Sequence, residues 1–302
     1  MVSLAVAAAC VREPEDASTR VTPGASGQRF EPVPMGPPAA APDAVAILRP
    51  TQSEREQINA ALQRFIDGDR SSSRPLLKKY ESLLLLPPTR PNAAATFTPS
   101  VHRLGKRHEA FVEIARRGNI DLLLHGDSIT DWWRLDANKP VFDKYFGHFR
   151  TANFAVAGDT TQGMLWGLRN GEGQGFQPKA VMLLIGVNNI GAFSAPEIAE
   201  GIGSVVLELR HNFPAAKILL LGLFPYSVAG DPIREKIADV NSIISRLDDR
   251  EYVFYMDIGN RFLDEKGMFL TDVFMPDNLH PQSKGYEIWA QAVSPILSEF
   301  LR

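Results

Sequence analysis

Five short, uninterrupted apolar runs constrain this chain most. They are residues 122–124 (Leu-Leu-Leu), 154–156 (Phe-Ala-Val), 181–185, 218–221 and 253–256, and stretches of helical periodicity separate them. A strand with one wet face alternates apolar and polar residues, whereas a strand buried on both faces is apolar at consecutive positions. Strands of the second kind, alternating with helices, predict an α/β chain built as a three-layer α/β/α sandwich of about five parallel strands. Helices are predicted over residues 102–117 and from Ser194-Ala195-Pro196-Glu197, where a capping box and a first-turn proline coincide.

The first third reads differently. It holds 13 of the 22 prolines, eight of them in residues 11–50, where large apolar residues are few. Such a composition cannot offset the entropy of ordering, so residues 1–50 are expected to form a flexible leader or linker. Residues 1–10 end in small residues before Cys10 and resemble the end of an export signal whose cysteine is acylated. The basic segment of such signals is missing. Localisation therefore stays open between export, with a membrane tether through Cys10, and the cytoplasm. Residues 51–100 predict a helical extension. A capping box at Ser53 and Glu56 opens a helix carrying Ile58, Leu62, Phe65 and Ile66, and a second helix runs over 75–86 until Pro87-Pro88 stops it. The apolar stripes of these helices read as packing surfaces. Residues 101–302 form the main domain.

Composition excludes several classes. A net charge of −3 over 302 residues gives no electrostatic basis for binding nucleic acid. No apolar run approaches the roughly 18 residues needed to span a bilayer. One cysteine leaves no intramolecular disulfide and no multi-cysteine zinc site. The dense glycines Gly171, Gly173 and Gly175 follow a helical stretch, unlike a dinucleotide fingerprint, and Thr130 stands where a Gly-x-Ser-x-Gly elbow needs glycine. No metal and no cofactor are expected. His102 and His108 do not share a helical face and read as solvent-facing.

In open parallel sheets, ligands bind at the carboxyl ends of the strands. Polar clusters stand at those ends: Gly126-Asp127-Ser128, Gly158-Asp159-Thr160, Gly186-Val187-Asn188-Asn189 and, after the last strand, Asp277-Asn278-Leu279-His280. A serine hydroxyl becomes a nucleophile when a base takes its proton, and an imidazole serves as that base when its other nitrogen is held. Ser128, His280 and Asp277 fit these three parts. The backbone N–H groups of Ser128 and Gly158 and the Asn188 side-chain amide are candidates for an oxyanion hole. Asp127 reads as the support of its own turn. Trp132, Asp159 and Asn189, with Asp127, are the remaining candidates for the pocket wall, although paired tryptophans such as Trp132-Trp133 more often lie in a core. His125 stands beside the site, and Asp257 reads as structural.

In order and spacing, Ser128, Gly158, Asn188 and His280, with Asp277, resemble the diagnostic positions of the GDSL, or SGNH, hydrolases. The stretch 153–189, with Gly158-Asp159, Leu165-Trp166, Asn170-Gly171-Glu172 and Pro178-Lys179, is similar to the branch containing the platelet-activating factor acetylhydrolase Ib catalytic subunits. Ala157 departs from that branch, which usually has glycine there, and the first hundred residues have no counterpart in its mammalian members. The resemblance implies a flavodoxin-like sheet and metal-free hydrolysis of short acyl esters, acetyl above all, of carbohydrates or small molecules, with a homodimer as an open expectation. Acyl transfer by the same residues, a lysophospholipase or platelet-activating-factor-like acetylhydrolase, and an inactive carbohydrate-binding module are the alternatives.

Overall fold

In the computed structural model, which describes residues 38–302, the apolar runs line a five-stranded parallel sheet. The expectations for residues 1–37, Cys10 included, lie outside the described residues. The strands are β1 (Leu122–Gly126), β2 (Thr151–Asn153), β3 (Ala180–Leu184), β4 (Lys217–Leu221) and β5 (Val253–Met256), in the order β2-β1-β3-β4-β5. Every residue of β1 and β3 is buried, which is why both read as unbroken apolar runs. The second strand lies just before the run Phe154-Ala155-Val156 that predicted it. Its backbone still pairs with β1 there, Phe154 N–H donating to Leu124 O (2.9 Å) and Val156 N–H to Gly126 O (3.1 Å). Between them the Asn153 side-chain oxygen accepts the Ala155 N–H (3.0 Å), diverting the chain into a turn.

The helices are α1 (Gln52–Gly68), α2 (Arg74–Lys79), α3 (Glu81–Leu84), α4 (Lys106–Arg117), α5 (Ser128–Asp131), α6 (Lys139–Phe146), α7 (Thr161–Gly167), α8 (Ala195–Asn212), α9 (Pro232–Ile244) and α10 (Ser283–Phe300). α6 packs with α10, while α7, α8 and α9 pack in succession, giving the two helical layers. The chain leaves β1 for β2 on one side and then returns past it to β3. This reversal sets the turns after β1 and β3 side by side, the place where open parallel sheets bind ligands.

The N-terminal helices differ in detail from expectation. The capping box belongs to Thr51 and Glu54, whose carboxylate accepts the Thr51 N–H (2.8 Å), so Ser53 lies inside the first turn of α1. The second predicted helix is interrupted at Tyr80 into α2 and α3. On the α1 stripe Ile66 is buried, yet Phe65 is 68% exposed, so the stripe is only partly a packing surface.

Residues 38–50, counted with the leader on their proline content, are fastened to the sandwich. Ala39 N–H donates to Ala95 O (2.5 Å), and Val45 packs over Gly203 of α8, where a Cβ would stand 2.3 Å from its methyl. Arg49 grips the Glu200 carboxylate with two nitrogens (2.6 and 2.9 Å), and the Ile47 N–H (2.9 Å) and Asn92 amide (2.9 Å) complete its shell. Burial alone would raise the Glu200 pKa; these donors outweigh it and hold the carboxyl below its usual range.

Candidate active site

β1 delivers the chain into a tight turn. Asp127 caps α5, its Oδ1 accepting the Ile129 N–H (3.1 Å), and Ser128 becomes the first helical residue, 6% exposed. Below it the Tyr286 hydroxyl of α10 donates to Ile129 O (2.7 Å), fixing the turn from the helical layer.

His280 arrives on a loop that the Asp277 carboxylate organises. Asp277 Oδ1 accepts the Leu279 N–H (2.9 Å) and the His280 N–H (3.1 Å), while Met275 N–H donates to His280 O (2.7 Å). The carboxylate's other oxygen lies 2.7 Å from His280 Nδ1, and His280 Nε2 lies 2.8 Å from Ser128 Oγ. Partial burial pushes the Asp277 pKa up, but the imidazole and the two backbone donors prevail and hold it below the usual carboxylate range. Three residues separated by up to 152 positions thus form one hydrogen-bonded line.

The two tryptophans after Ser128 part company. Trp133 is 1% exposed and packs among Phe146, Tyr286 and Trp289. Trp132 stacks on the His280 imidazole, ring centroids 4.0 Å apart and planes 20° from parallel.

Gly158 has φ +77°, a conformation that favours glycine, and the His102 ring lies against it, its Cδ2 2.9 Å from where a Cβ would be. His102 is exposed, as expected, but it packs on the Gly158 loop. Among the described residues the Gly158 N–H has no protein acceptor. Ala157 keeps an ordinary negative φ, so the missing glycine causes no strain. Asn188, exposed in the turn after β3, donates through Nδ2 to Asp159 O (2.7 Å), tying two strand-end loops together.

Three candidates for the pocket wall are instead fully buried. Asn189 accepts the Thr161 N–H (3.1 Å) and donates to Gln162 (2.9 Å), so its amide is consumed inside the fold. Asp159 is held by Arg103 and by the Ser100 hydroxyl (2.8 Å). Asp127 faces inward, and burial raises its pKa to about 7. His125 is likewise buried, and desolvation, reinforced by Arg103, holds its pKa well below the usual value, leaving the ring neutral. Asp257 accepts from Asn241 (3.2 Å) and the Gly259 N–H (2.8 Å), in keeping with a structural part.

Sequence reasoning missed Arg103. It is 0% exposed and bridges the Asp159 and Glu172 carboxylates, which overcome its own desolvation and raise its pKa. Glu172 also takes His108 Nδ1 (2.8 Å), and the His108 ring packs on Trp166, so His108 is not the solvent-facing residue expected. No local pattern announces this network, because its members lie 56 and 69 positions from Arg103.

Two cavities flank the Ser128–His280 pair. One, of about 490 Å³, is lined by Val187, Asn188, Tyr226, Ile233, Lys236 and Leu279; the other, of about 410 Å³, by Trp132, Leu135, Asn138, Met275 and Pro281. A larger one of about 830 Å³ lies beside α8, away from both residues, next to Phe97, Arg169 and Arg210. Among the described residues no cluster of three or more His, Cys, Asp or Glu side chains is arranged to hold a metal, and no helix is long and apolar enough to cross a membrane.

The chain is similar to several known proteins. Platelet-activating factor acetylhydrolase IB subunit alpha2 of Rattus norvegicus is 31% identical over 197 residues, covering 65% of this chain and 83% of that protein. The human alpha1 subunit is 29% identical over 195 residues, covering 64% and 82%. The solved structure of an acylhydrolase from Bacteroides fragilis superposes with a TM-score of 0.55 at 20% identity, covering 67% of this chain and 99% of that one, and so shares the fold. The GDSL-like Lipase/Acylhydrolase family model matches residues 124–288, more than half of the chain. The chain therefore belongs to the GDSL-like lipase/acylhydrolase family and is an ester-hydrolysing enzyme.

Proposed function

We propose that this enzyme is a serine esterase that hydrolyses short-chain, acetyl-type O-acyl esters of carbohydrates or other small molecules through an acyl-enzyme. The observation that carries the reading is the unbroken line from Asp277 through His280 to Ser128, with both imidazole nitrogens in hydrogen-bond contact. His280 Nε2 takes the proton of Ser128 Oγ as that oxygen attacks the ester carbonyl, and Asp277 holds the ring and its tautomer. The C–O bond to the alcohol then breaks, and the alcohol leaves with the proton from Nε2. Water, deprotonated at the same nitrogen, attacks the acyl-serine, releases the acid and restores Ser128. The oxyanion is met by the N–H groups of Ser128 and Gly158 and by the Asn188 amide, whose second hydrogen is not used by Asp159. Each such donor is typically worth about 3 kcal/mol.

The name of the curated relatives, acetylhydrolase subunits, supports an acetyl preference. It equally favours a lipid such as platelet-activating factor as the acetyl carrier, and a substrate panel separates the two. Ser128→Ala should lower turnover of 4-nitrophenyl acetate by more than about 10⁴-fold and abolish labelling by a fluorophosphonate, with melting unchanged. Retained turnover would sink the assignment. Rates on nitrophenyl esters from acetyl to octanoyl, beside acetylated xylan and an acetylated ether phospholipid, should fall with acyl length; a rise refutes the short-chain claim.

A further inference from the structure

We infer that Trp132 is a positioning residue for His280, its indole face holding the imidazole in line with Ser128 and stabilising the imidazolium that forms during turnover. The inference rests on the serine-esterase reading above. The two hydrogen bonds of the ring, to Asp277 and Ser128, both lie at its edge. Bonds at opposite edges leave an imidazole free to rock about the line that joins them, and only a contact on its face removes that freedom. Trp132 supplies the contact, 4.0 Å away and nearly parallel.

The backbone that carries the indole is itself anchored. Trp132 O accepts the Leu135 N–H (3.1 Å) and the Asn138 amide (3.0 Å), and the Asn138 side-chain oxygen accepts from the hydroxyl of Ser283, the first residue of α10 (3.0 Å). The ring packs partly against the core, which its neighbour Trp133 enters fully, and its remaining surface lines the 410 Å³ cavity. The electrostatic need is also visible. Asp277, the charged partner of the ring, has a side chain 47% exposed, so water screens its attraction for an imidazolium. Among the described residues no other charged side chain pairs with His280, and Ser128 is neutral. An aromatic face carries partial negative charge and attracts a cation placed over it, most strongly when water is excluded.

Two variants separate the π face from simple covering. Trp132→Leu keeps an apolar cover without the π face, and Trp132→Phe keeps both in smaller form. With 4-nitrophenyl acetate, Trp132→Leu should lower kcat about tenfold while KM stays within about twofold, and Trp132→Phe should recover most of the loss. Circular dichroism and melting of both should match the wild type. A protonated imidazole quenches an indole stacked on it. The emission difference between the wild type and Trp132→Phe should therefore fall on acidification, and in a His280→Asn background this titration should vanish. Equal kcat in the wild type and Trp132→Leu, a loss confined to KM, or a titration that survives His280→Asn would each overturn the inference. The emission measurement needs no turnover, so an enzyme that hydrolyses none of the esters would refute the esterase reading while leaving the stacking test standing.

Discussion

Two acid–base assemblies flank the strand-end turns, and they are solvated in opposite ways. On one side the Asp277 and His280 side chains are 47% and 16% exposed; on the other Arg103, Asp159 and Glu172 are each at 0%. In the proposed mechanism His280 passes a proton between Ser128 and the substrate while Asp277 holds it, and one side of that pair is open to solvent. The second only has to hold the Gly158 loop in place, and its charges are dehydrated and mutually fixed. The pair proposed to relay protons keeps one side open to solvent, and the charges that fix the Gly158 loop are sealed beneath the surface.

Substitutions can break this contrast. Asp277→Asn keeps an oxygen for the Leu279 and His280 N–H groups but loses the charge and the tautomer control, so kcat/KM should fall by about 10³- to 10⁴-fold while the melting temperature moves only a few degrees. Arg103→Met should do the reverse. It strands two buried carboxylates, a change that typically costs about 3–5 kcal/mol, and melting should drop by about 10 °C, read by circular dichroism. A variant that melts like the wild type would show that the pair is not dehydrated as described.

A third substitution sharpens the contrast through pH. Burial raises the Asp127 pKa to about 7, well above its value in an unfolded chain. The folded protein therefore binds this proton more tightly than the unfolded one. Its contribution to stability is full below about pH 4 and is lost as pH rises towards 7. Asp127→Asn mimics the protonated acid and keeps the cap on Ile129. The variant should match the wild type near pH 4 and exceed it by on the order of 2–3 kcal/mol at pH 8, measured by denaturant melts at both values. A difference that does not vary with pH would place Asp127 in contact with water.

What could be read in the sequence divides along the same line. Ser128, Asp277 and His280 were legible because each stands in a short polar cluster beyond an apolar run, and the Asp-x-x-His spacing lets one loop close on itself. The direction of a side chain within those clusters was not legible. Asp127, Asp159 and Asn189 look like pocket residues when written beside Ser128, Gly158 and Asn188, yet a strand-to-helix turn sends neighbouring side chains to opposite sides, and these three point inward. The Trp132-Trp133 pair divides for the same reason, and only tertiary packing decides which ring meets His280. Arg103 was invisible because a charged residue near a helix start is ordinarily solvated, and what buries it is contributed by distant segments. The proline content of residues 38–50 suggested a loose tether. Proline limits helix and strand, but it does not prevent an extended segment from being held by side-chain contacts such as Arg49 with Glu200.

That last contact bears on how the enzyme can be produced in pieces. The family match begins at residue 124 and the helix leading into β1 begins at Lys106, so either invites a trimmed gene. Such a fragment would lose Val45, the Ile47 N–H, Arg49 and Asn92 in one cut and open to water the face of α8 around Gly203 and Glu200 that they cover. The Glu200 carboxylate would regain water in place of those donors, but the apolar contact of Val45 with Gly203 would be lost and that face left bare. The shortest version that keeps the native α8 surface covered therefore starts upstream of Val45.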